Sequence, residues 1–209
     1  MAESTIEIKS VGKDIEYIDK LVKEVVDVHL SAFPNFFLST LGTGFLRTYF
    51  RCFVEHKNGN LIVATMDDKV VAFAAATSEC RGFNTSLLKK NLFAFGCRFL
   101  VLLFTKPMAI VHLANNMTKT SEEVEDNEDY AELYSIGTIA VVQGKGIGTK
   151  LMERLEVRLK KQGVEKVSLT TDYVDNDATL SFYKKNGYEV LYEFLTYPNR
   201  KMYRLIKKI

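Results

Sequence analysis

The chain has 209 residues, of which 47% are hydrophobic and 26% charged, and its formal net charge at pH 7 is +2. This composition excludes a disordered or fibrous protein, and the near-neutral charge excludes a dedicated nucleic-acid binder, which needs a strong basic excess. The length predicts a single domain over residues 1–209, with a core large enough to fold without disulfides or metals.

The cysteines and the N-terminus predict where the protein is located. Cys52, Cys80 and Cys97 are odd in number and too far apart for a zinc motif, so we expect reduced thiols. The first residues lack the basic and apolar regions of a signal peptide. The longest apolar run, at 92–104 and interrupted by Arg98, has thirteen residues, whereas a helix that crosses a bilayer needs about 20. We therefore expect a cytoplasmic protein with no membrane span.

The first 80 residues predict a strand, two helical stretches and a hairpin. Residues 4–9 alternate polar and apolar side chains, as a half-buried strand does. Asp14 is placed to cap a first helix, and a second helical stretch covers 36–55. Two β-rich runs follow at 61–66 and 69–77, and the acidic dipeptide between them is a turn signal.

The pattern changes over about 80–130. Apolar residues step by four and three positions, which predicts one face of a helix over about 87–104: Leu88, Leu92, Phe95, Phe99 and Leu102. Between Ser121 and Glu132, seven of twelve residues are acidic and none is basic. The helix would be an acceptor lid, a homodimer face or additional core. The acidic stretch would attract a cationic amine or form a solvated loop.

After the acidic stretch, strands and helices alternate. The predicted elements are a strand at 132–141, a helix at 148–161, a strand at 165–173, a helix at 177–185, and strands at 188–197 and 201–206. This alternation is typical of an α/β protein. The strand–loop–helix unit at 132–161 also predicts at least one parallel crossover.

A glycine-rich loop, Gln143-Gly144-Lys145-Gly146-Ile147-Gly148, separates the first of these strands from its helix. Glycines allow a sharp turn and a close approach of backbone N–H groups to a ligand, and a helix N-terminus favours a phosphate. The spacing fits neither a Walker A loop nor a dinucleotide fingerprint, whose last glycine would be residue 149. The loop therefore predicts another class of phosphate-bearing ligand.

The pattern Gln-x-x-Gly-x-Gly over 143–148 resembles the loop with which the GNAT superfamily of N-acetyltransferases holds the pyrophosphate of acetyl-CoA. Residues 176–188 resemble the family's Asn-x-x-Ala-x-x-x-Tyr-x-x-x-Gly-Phe segment, with Thr179 and Tyr188 at the Ala and Phe positions. The resemblance implies acetyl-CoA as co-substrate. It also implies a mixed, mostly antiparallel central sheet flanked by helices, with the 80–130 stretch inserted between the third and fourth strands.

The resemblance also implies which residues contact the cofactor: Ile136, Thr138, Gln143, Gly144, Lys145, Gly146, Ile147, Gly148, Thr149 and Asn176. The strand before the loop departs from the family's apolar-Ala-Val-x-Pro, because Ile136 is followed by Gly-Thr-Ile-Ala. Since backbone groups hold the pantetheine arm in this family, the departure leaves the implied function in place. The loop lysine would contact phosphate or remain solvated.

In this family the amine attacks the thioester directly, so a base must accept its proton and a donor assists the leaving thiolate. Glu132, eleven residues before Gln143, matches one family position for the base, and Asp172 matches another. Each would otherwise be a solvated or strand-capping acid. Tyr183 matches the family's proton donor, with simple packing as its alternative. Asn176 would bind the cofactor, and it is also placed to cap a helix.

The implied acceptor is the primary amine of a small molecule. The aromatic-rich stretch from Phe33 to Tyr49 resembles that of family members encoded with polysaccharide genes, which implies an amino sugar; the other interpretation of these aromatics is core. Alternative functions are protein or peptide N-acetylation and a non-catalytic acyl-CoA-binding module. His29, His56 and His112 share no metal-like spacing, so they are interpreted as structural and no metal site is predicted.

Overall fold

The computed structural model describes residues 5–13, 16–90, 96, 120–121, 126–127, 129–196 and 199–209. Its strands are β1 Ile6–Ser10, β2 Gly59–Met66, β3 Lys69–Thr77, β4 Thr120–Ser121, β5 Ala131–Thr138, β6 Lys166–Asp172, β7 Glu189–Thr196 and β8 Arg200–Lys208. Its α-helices are α1 Ile18–Ala32, α2 Phe37–Thr40, α3 Gly42–Glu55, α4 Phe83–Lys90, α5 Ile147–Lys161 and α6 Asp177–Lys185. No helix in the described ranges combines the length and apolar character that crossing a bilayer requires.

The strands form one sheet in the order β1-β2-β3-β5-β6-β8-β7-β4. Neighbouring strands are antiparallel throughout, except that β5 and β6 are parallel. The prediction of a mixed, mostly antiparallel sheet flanked by helices is therefore confirmed. Of the helix predicted over 87–104, the part beyond Lys90 lies outside the described residues, apart from Gly96.

The predicted hairpin is β2–β3, and its two-residue turn has an identifiable cause. Asp67 and Asp68 have φ of 50° and 58°, so both central residues are left-handed, as a hairpin turn that matches the strand twist requires. Aspartate tolerates this region better than most residues. The helical stretch predicted over 36–55 is divided into α2 and α3, because Gly42 has φ of 84° and interrupts the right-handed path.

Alternate residues of the central strands pack against helices on opposite faces of the sheet. On one face, Leu61, Val63 and Phe73 join the core formed with α1 and α3. On the other face, Ile62 and Ala72 join the core formed with α5. We call these the α1/α3 face and the α5/α6 face. The central strands are apolar on both sides because a layer of helices covers each face of the sheet.

A bulge in β5 opens the sheet where the parallel pair begins. Ala75 pairs with Ser135 and Ala76 with Leu133, so Tyr134 is an extra residue on β5. Bulges bend a strand and increase its twist. Accordingly β5 pairs with β6 only over residues 131–133, and the carboxyl-terminal parts of the two strands have no pairing with each other. We call this opening the β5–β6 gap.

Two of the three histidines lie in the core. His56 accepts a hydrogen bond from the Asn58 N–H and its Nε2 lies 2.9 Å from Ser86 Oγ, whereas both ring nitrogens of His29 lack a partner among the described residues. The His29 ring is 2% exposed and packs against Phe33 and other phenylalanines. His112 lies outside the described residues.

Burial lowers the pKa of His29 from 6.5 to about 4, which predicts acid sensitivity of the fold. As pH falls below 6.5, the unfolded chain binds a proton that the folded protein cannot, so stability decreases until about pH 4. At about 1.4 kcal/mol per pH unit, we expect a loss of roughly 3 kcal/mol. Urea unfolding of wild type and His29→Leu between pH 4 and 7 measures it. The variant should lack this part of the slope, and parallel curves would contradict the prediction.

Candidate active site

The glycine loop lies at the N-terminus of α5. Gly144 and Gly146 have φ of 73° and 74°, a backbone region that residues other than glycine rarely adopt. A Cβ at either position would meet no described atom within 4 Å, so the space in front of the loop is open. The N–H of Lys150 bonds to the carbonyl of Gly146. The N–H groups before it are those that a helix start leaves without helical partners and that bind anions.

Gly148 has a different role from the other two glycines. A Cβ here would lie 3.1 Å from two ring carbons of Phe182 on α6, so the missing side chain lets the loop and α6 pack together. Ile147 is 3% exposed and anchors the start of α5 in the core. Thr149 is half-buried, whereas Lys145 is exposed. The motif therefore combines an open part with a packed part, which its spacing did not predict.

The carboxyl-terminal half of β5 forms one edge of the β5–β6 gap. The side chain of Ile136 packs toward the α5/α6 face. Gln143 Nε2 lies 3.5 Å from the carbonyl oxygen of Thr138, a long contact across the turn into the loop. Gly137 stands where the family has alanine, and a Cβ there would lie 3.0 Å from Phe33 and 3.1 Å from Phe73. This crowding accounts for the glycine in place of alanine.

Asn176 connects the other edge of the gap to α6. Its Nδ2 donates to Thr171 Oγ1 at 2.6 Å and to the carbonyl oxygen of Asp172 at 2.8 Å. Although Asn176 occupies the N-cap position of α6, its side chain makes no capping hydrogen bond. The capping role that the sequence allowed is therefore absent.

Tyr183 lies on the inner side of α6 and is 6% exposed. Its ring contacts Phe182 at 5.2 Å and Tyr188 at 5.9 Å between centroids. Tyr183 therefore has the packing role given above as its alternative. Burial raises the pKa of the Tyr183 hydroxyl above its ordinary value. The group therefore stays protonated across the physiological range, which a hydrogen-bond donor to a developing thiolate requires.

Glu132 lies on the α1/α3 face beside the inner end of the gap. Its Oε1 accepts a hydrogen bond from Arg204 Nη1 at 2.5 Å, and its Oε2 accepts one from Cys80 Sγ at 3.0 Å. The side chains of Glu132 and Arg204 are each 13% exposed. Burial, and then the charge of Glu132, raise the pKa of the Tyr134 hydroxyl. Glu132 is thus a recessed carboxylate and not a solvated acid.

Asp172, the other acid predicted as a base, lies at the carboxyl end of β6 at the rim of the gap. Its two oxygens accept hydrogen bonds from Nε and Nη2 of Arg200. The side chain of Asp172 is 30% exposed and that of Arg200 43% exposed. Both acids are therefore ion-paired, but only Glu132 is recessed from solvent.

The structure places the predicted site residues on both faces of the sheet. The loop and Tyr183 belong to the α5/α6 side, and Glu132 belongs to the α1/α3 face. Arg204 and Cys80, the partners of Glu132, were missed because they lie 72 and 52 residues from it in the chain. Within the described ranges, no group of three or more His, Cys, Asp or Glu side chains could hold a metal ion.

Comparison with known proteins identifies the family. The sequence matches the acetyltransferase (GNAT) family over residues 23–188, which is more than half of the chain. The chain is a member of the GNAT family. A solved N-acetyltransferase from Staphylococcus aureus Mu50 superposes with a TM-score of 0.62 at 14% identity, covering 98% of this chain and 99% of the other. The PaiA N-acetyltransferase of Thermoplasma acidophilum, solved in complex with coenzyme A, gives a TM-score of 0.53 at 15% identity, with 98% and 99% covered.

A relative by sequence is the uncharacterized protein YxbD of Bacillus subtilis strain 168, which is 36% identical over 63 residues. That match covers 30% of this chain and 38% of YxbD, so it relates a segment and not the whole proteins. The family is one of acetyltransferases, and the chain shares its overall fold with these two solved neighbours.

Proposed function

We propose that this protein transfers the acetyl group of acetyl-CoA directly to a primary amine of a small molecule, with an amino sugar as one candidate acceptor. The observation that carries the proposal is the β5–β6 gap, whose β5 edge begins beside a recessed carboxylate and leads into an open glycine loop at a helix N-terminus. Coenzyme A bound to the neighbouring PaiA enzyme supports acetyl-CoA as the donor.

The donor would be held mainly by the backbone. N–H groups of the loop from Gly144 to Thr149 would bind the pyrophosphate, because they lie at a helix N-terminus and the loop is exposed from Gly144 to Gly146. Backbone groups of Ile136 and Thr138 would hold the pantetheine arm along the β5 edge. Asn176 would add its amide oxygen from the opposite edge. No metal is needed for this arrangement, since the thioester is already activated.

The acceptor would approach from the α1/α3 face. Its neutral nitrogen attacks the thioester carbonyl carbon, a C–N bond forms, and the C–S bond breaks. Glu132, directly or through a water molecule, takes the proton that the nitrogen loses. Tyr183 donates its hydroxyl proton toward the departing sulfur and regains one from solvent. Both acids are ion-paired to an arginine, and we assign the base to Glu132 because it is recessed beside the gap, whereas Asp172 is more exposed at the rim.

The proposal predicts a defined defect for Tyr183→Phe. We expect kcat to fall about 100-fold, the lower end of what a positioned proton donor contributes. The dissociation constant for coenzyme A should stay within about twofold, because the phenyl ring keeps the packing. Thiol release from acetyl-CoA over amino sugars, polyamines, amino acids and peptides measures kcat, and calorimetry measures binding. Tyr17→Phe is the matched control, because Tyr17 is 58% exposed. Its kcat and its dissociation constant for coenzyme A should equal those of the wild type.

Other outcomes distinguish the alternatives. Preferential turnover of peptides would replace the small-molecule acceptor with a protein acceptor. Tight binding of coenzyme A without turnover of any amine would indicate a non-catalytic module. If the protein neither binds coenzyme A nor releases thiol, the proposal fails.

A further inference from the structure

We propose that Arg204 is a positioning residue for Glu132, and that a clamp formed by Tyr130, Tyr192 and Asp126 holds Arg204 in place. The inference rests on the proposed role of Glu132 as the base. It assigns a function in the reaction to a β8 residue and to a segment outside the two family motifs.

The ion pair between Glu132 and Arg204 is recessed, unlike the other ion pair at the gap. Arg204 Nη1 lies 2.5 Å from Glu132 Oε1, and each side chain is 13% exposed. Within the sheet, β6 separates β5 from β8, and Arg204 pairs with Thr170. The two charged side chains therefore meet across a strand on the α1/α3 face. A charge pair removed from water has few alternative arrangements, because either group alone would be buried without a partner.

Aromatic residues hold Arg204 from the other side. Its guanidinium carbon lies 5.5 Å from the centre of the Tyr130 ring, a cation–π contact. Tyr192 is the β7 residue that pairs with Arg204 across the strands. The hydroxyls of Tyr130 and Tyr192 donate to the same oxygen, Asp126 Oδ2, at 2.5 and 2.6 Å. One carboxylate thus fixes both rings that border the arginine.

The arrangement determines where Glu132 can accept a proton. Arg204 and Cys80 each engage one of its oxygens, so the rotation of the carboxylate is restricted. A carboxylate oxygen accepts more than one hydrogen bond, so each oxygen retains capacity for an incoming N–H or water. A misplacement of about 1 Å can lower a rate about 100-fold. Arg204 would therefore contribute to kcat by keeping the free lone pairs of the Glu132 carboxylate oriented toward the gap.

A double-mutant cycle in the full-length protein tests this role. In the wild-type background, we expect Arg204→Gln to lower kcat roughly 10- to 100-fold with little change in KM for acetyl-CoA, and Arg204→Lys to restore part of the loss. In the Glu132→Gln background, assayed at high enzyme concentration, Arg204→Gln should cause no further loss. Arg51→Gln is the matched control, since Arg51 pairs with Glu55 and Asp19 on the exposed side of α3.

The outcomes separate this inference from the proposed function. An equal loss for Arg204→Gln in both backgrounds, or a rise in KM with kcat unchanged, would overturn the positioning role alone. Full activity of Glu132→Gln would overturn the assignment of the base and the inference together. If Arg204→Gln lowers the melting temperature too far for assay, Tyr192→Phe replaces it in the same cycle. That variant removes one hydrogen bond to Asp126 and should give a smaller kcat loss that also disappears with Glu132→Gln.

Discussion

Glu132→Gln is expected to lower kcat by about 100- to 10,000-fold while leaving coenzyme A binding unchanged, because an amide cannot accept the proton of the attacking amine. Glutamine keeps the shape of the side chain, and its oxygen can still accept a hydrogen bond from Arg204. The loss should therefore be mainly in turnover and not in folding. Steady-state kinetics with the best acceptor measures kcat, and calorimetry and thermal melting measure binding and stability.

Asp172→Asn provides the comparison that decides between the two acids. The carboxylate of Asp172 is held by Arg200 at the rim, and that pair is partly exposed, so its contribution to stability is at most about 1 kcal/mol. We expect at most a severalfold change in kcat, with any larger effect confined to KM for the acceptor. A larger kcat loss for Asp172→Asn than for Glu132→Gln would transfer the role of the base to Asp172.

Much of the fold could be predicted because its signals are local. The β2–β3 hairpin follows from two apolar runs separated by Asp67-Asp68, whose left-handed backbone the turn demands. The boundaries of α6 are those predicted from the sequence, 177–185. The glycine loop could be recognised for the same reason, because the left-handed backbone conformation at positions 144 and 146 itself favours glycine: Gly144 and Gly146. Such features depend on neighbours in the chain and not on the partners that folding brings together.

The rest of the site depends on the order of the strands. β8 is the last strand in the chain, but it lies between β6 and β7, which brings Arg204 to Glu132. No residue spacing in the sequence predicts the contact between Arg204 and Glu132. The bulge at Tyr134 likewise arises from pairing with β3, and the contact of Gly148 with Phe182 from the packing of α6. The motifs therefore predict the site residues, whereas tertiary structure decides which acid is recessed.

Phe73→Ala is expected to destabilise the protein by about 3–5 kcal/mol, because it removes a fully buried ring and leaves a cavity. Phe73 is 0% exposed, and its ring packs edge-on against Phe50 at 5.1 Å between centroids. Phe36→Ala is the matched control, since Phe36 is 48% exposed and should lose far less. Urea unfolding at pH 7 measures both free energies.

The same substitution also reaches the site through the backbone. Phe73 pairs with Gly137 of β5, and its ring carbon lies 3.1 Å from the position a Gly137 Cβ would take. The cavity would therefore lie directly behind the edge of the β5–β6 gap. We expect Phe73→Ala to weaken coenzyme A binding under conditions where the variant is still folded. We also expect Gly137→Ala to cost less unfolding free energy in the Phe73→Ala background than in the wild type. Additive effects of the two substitutions on unfolding free energy would contradict this coupling.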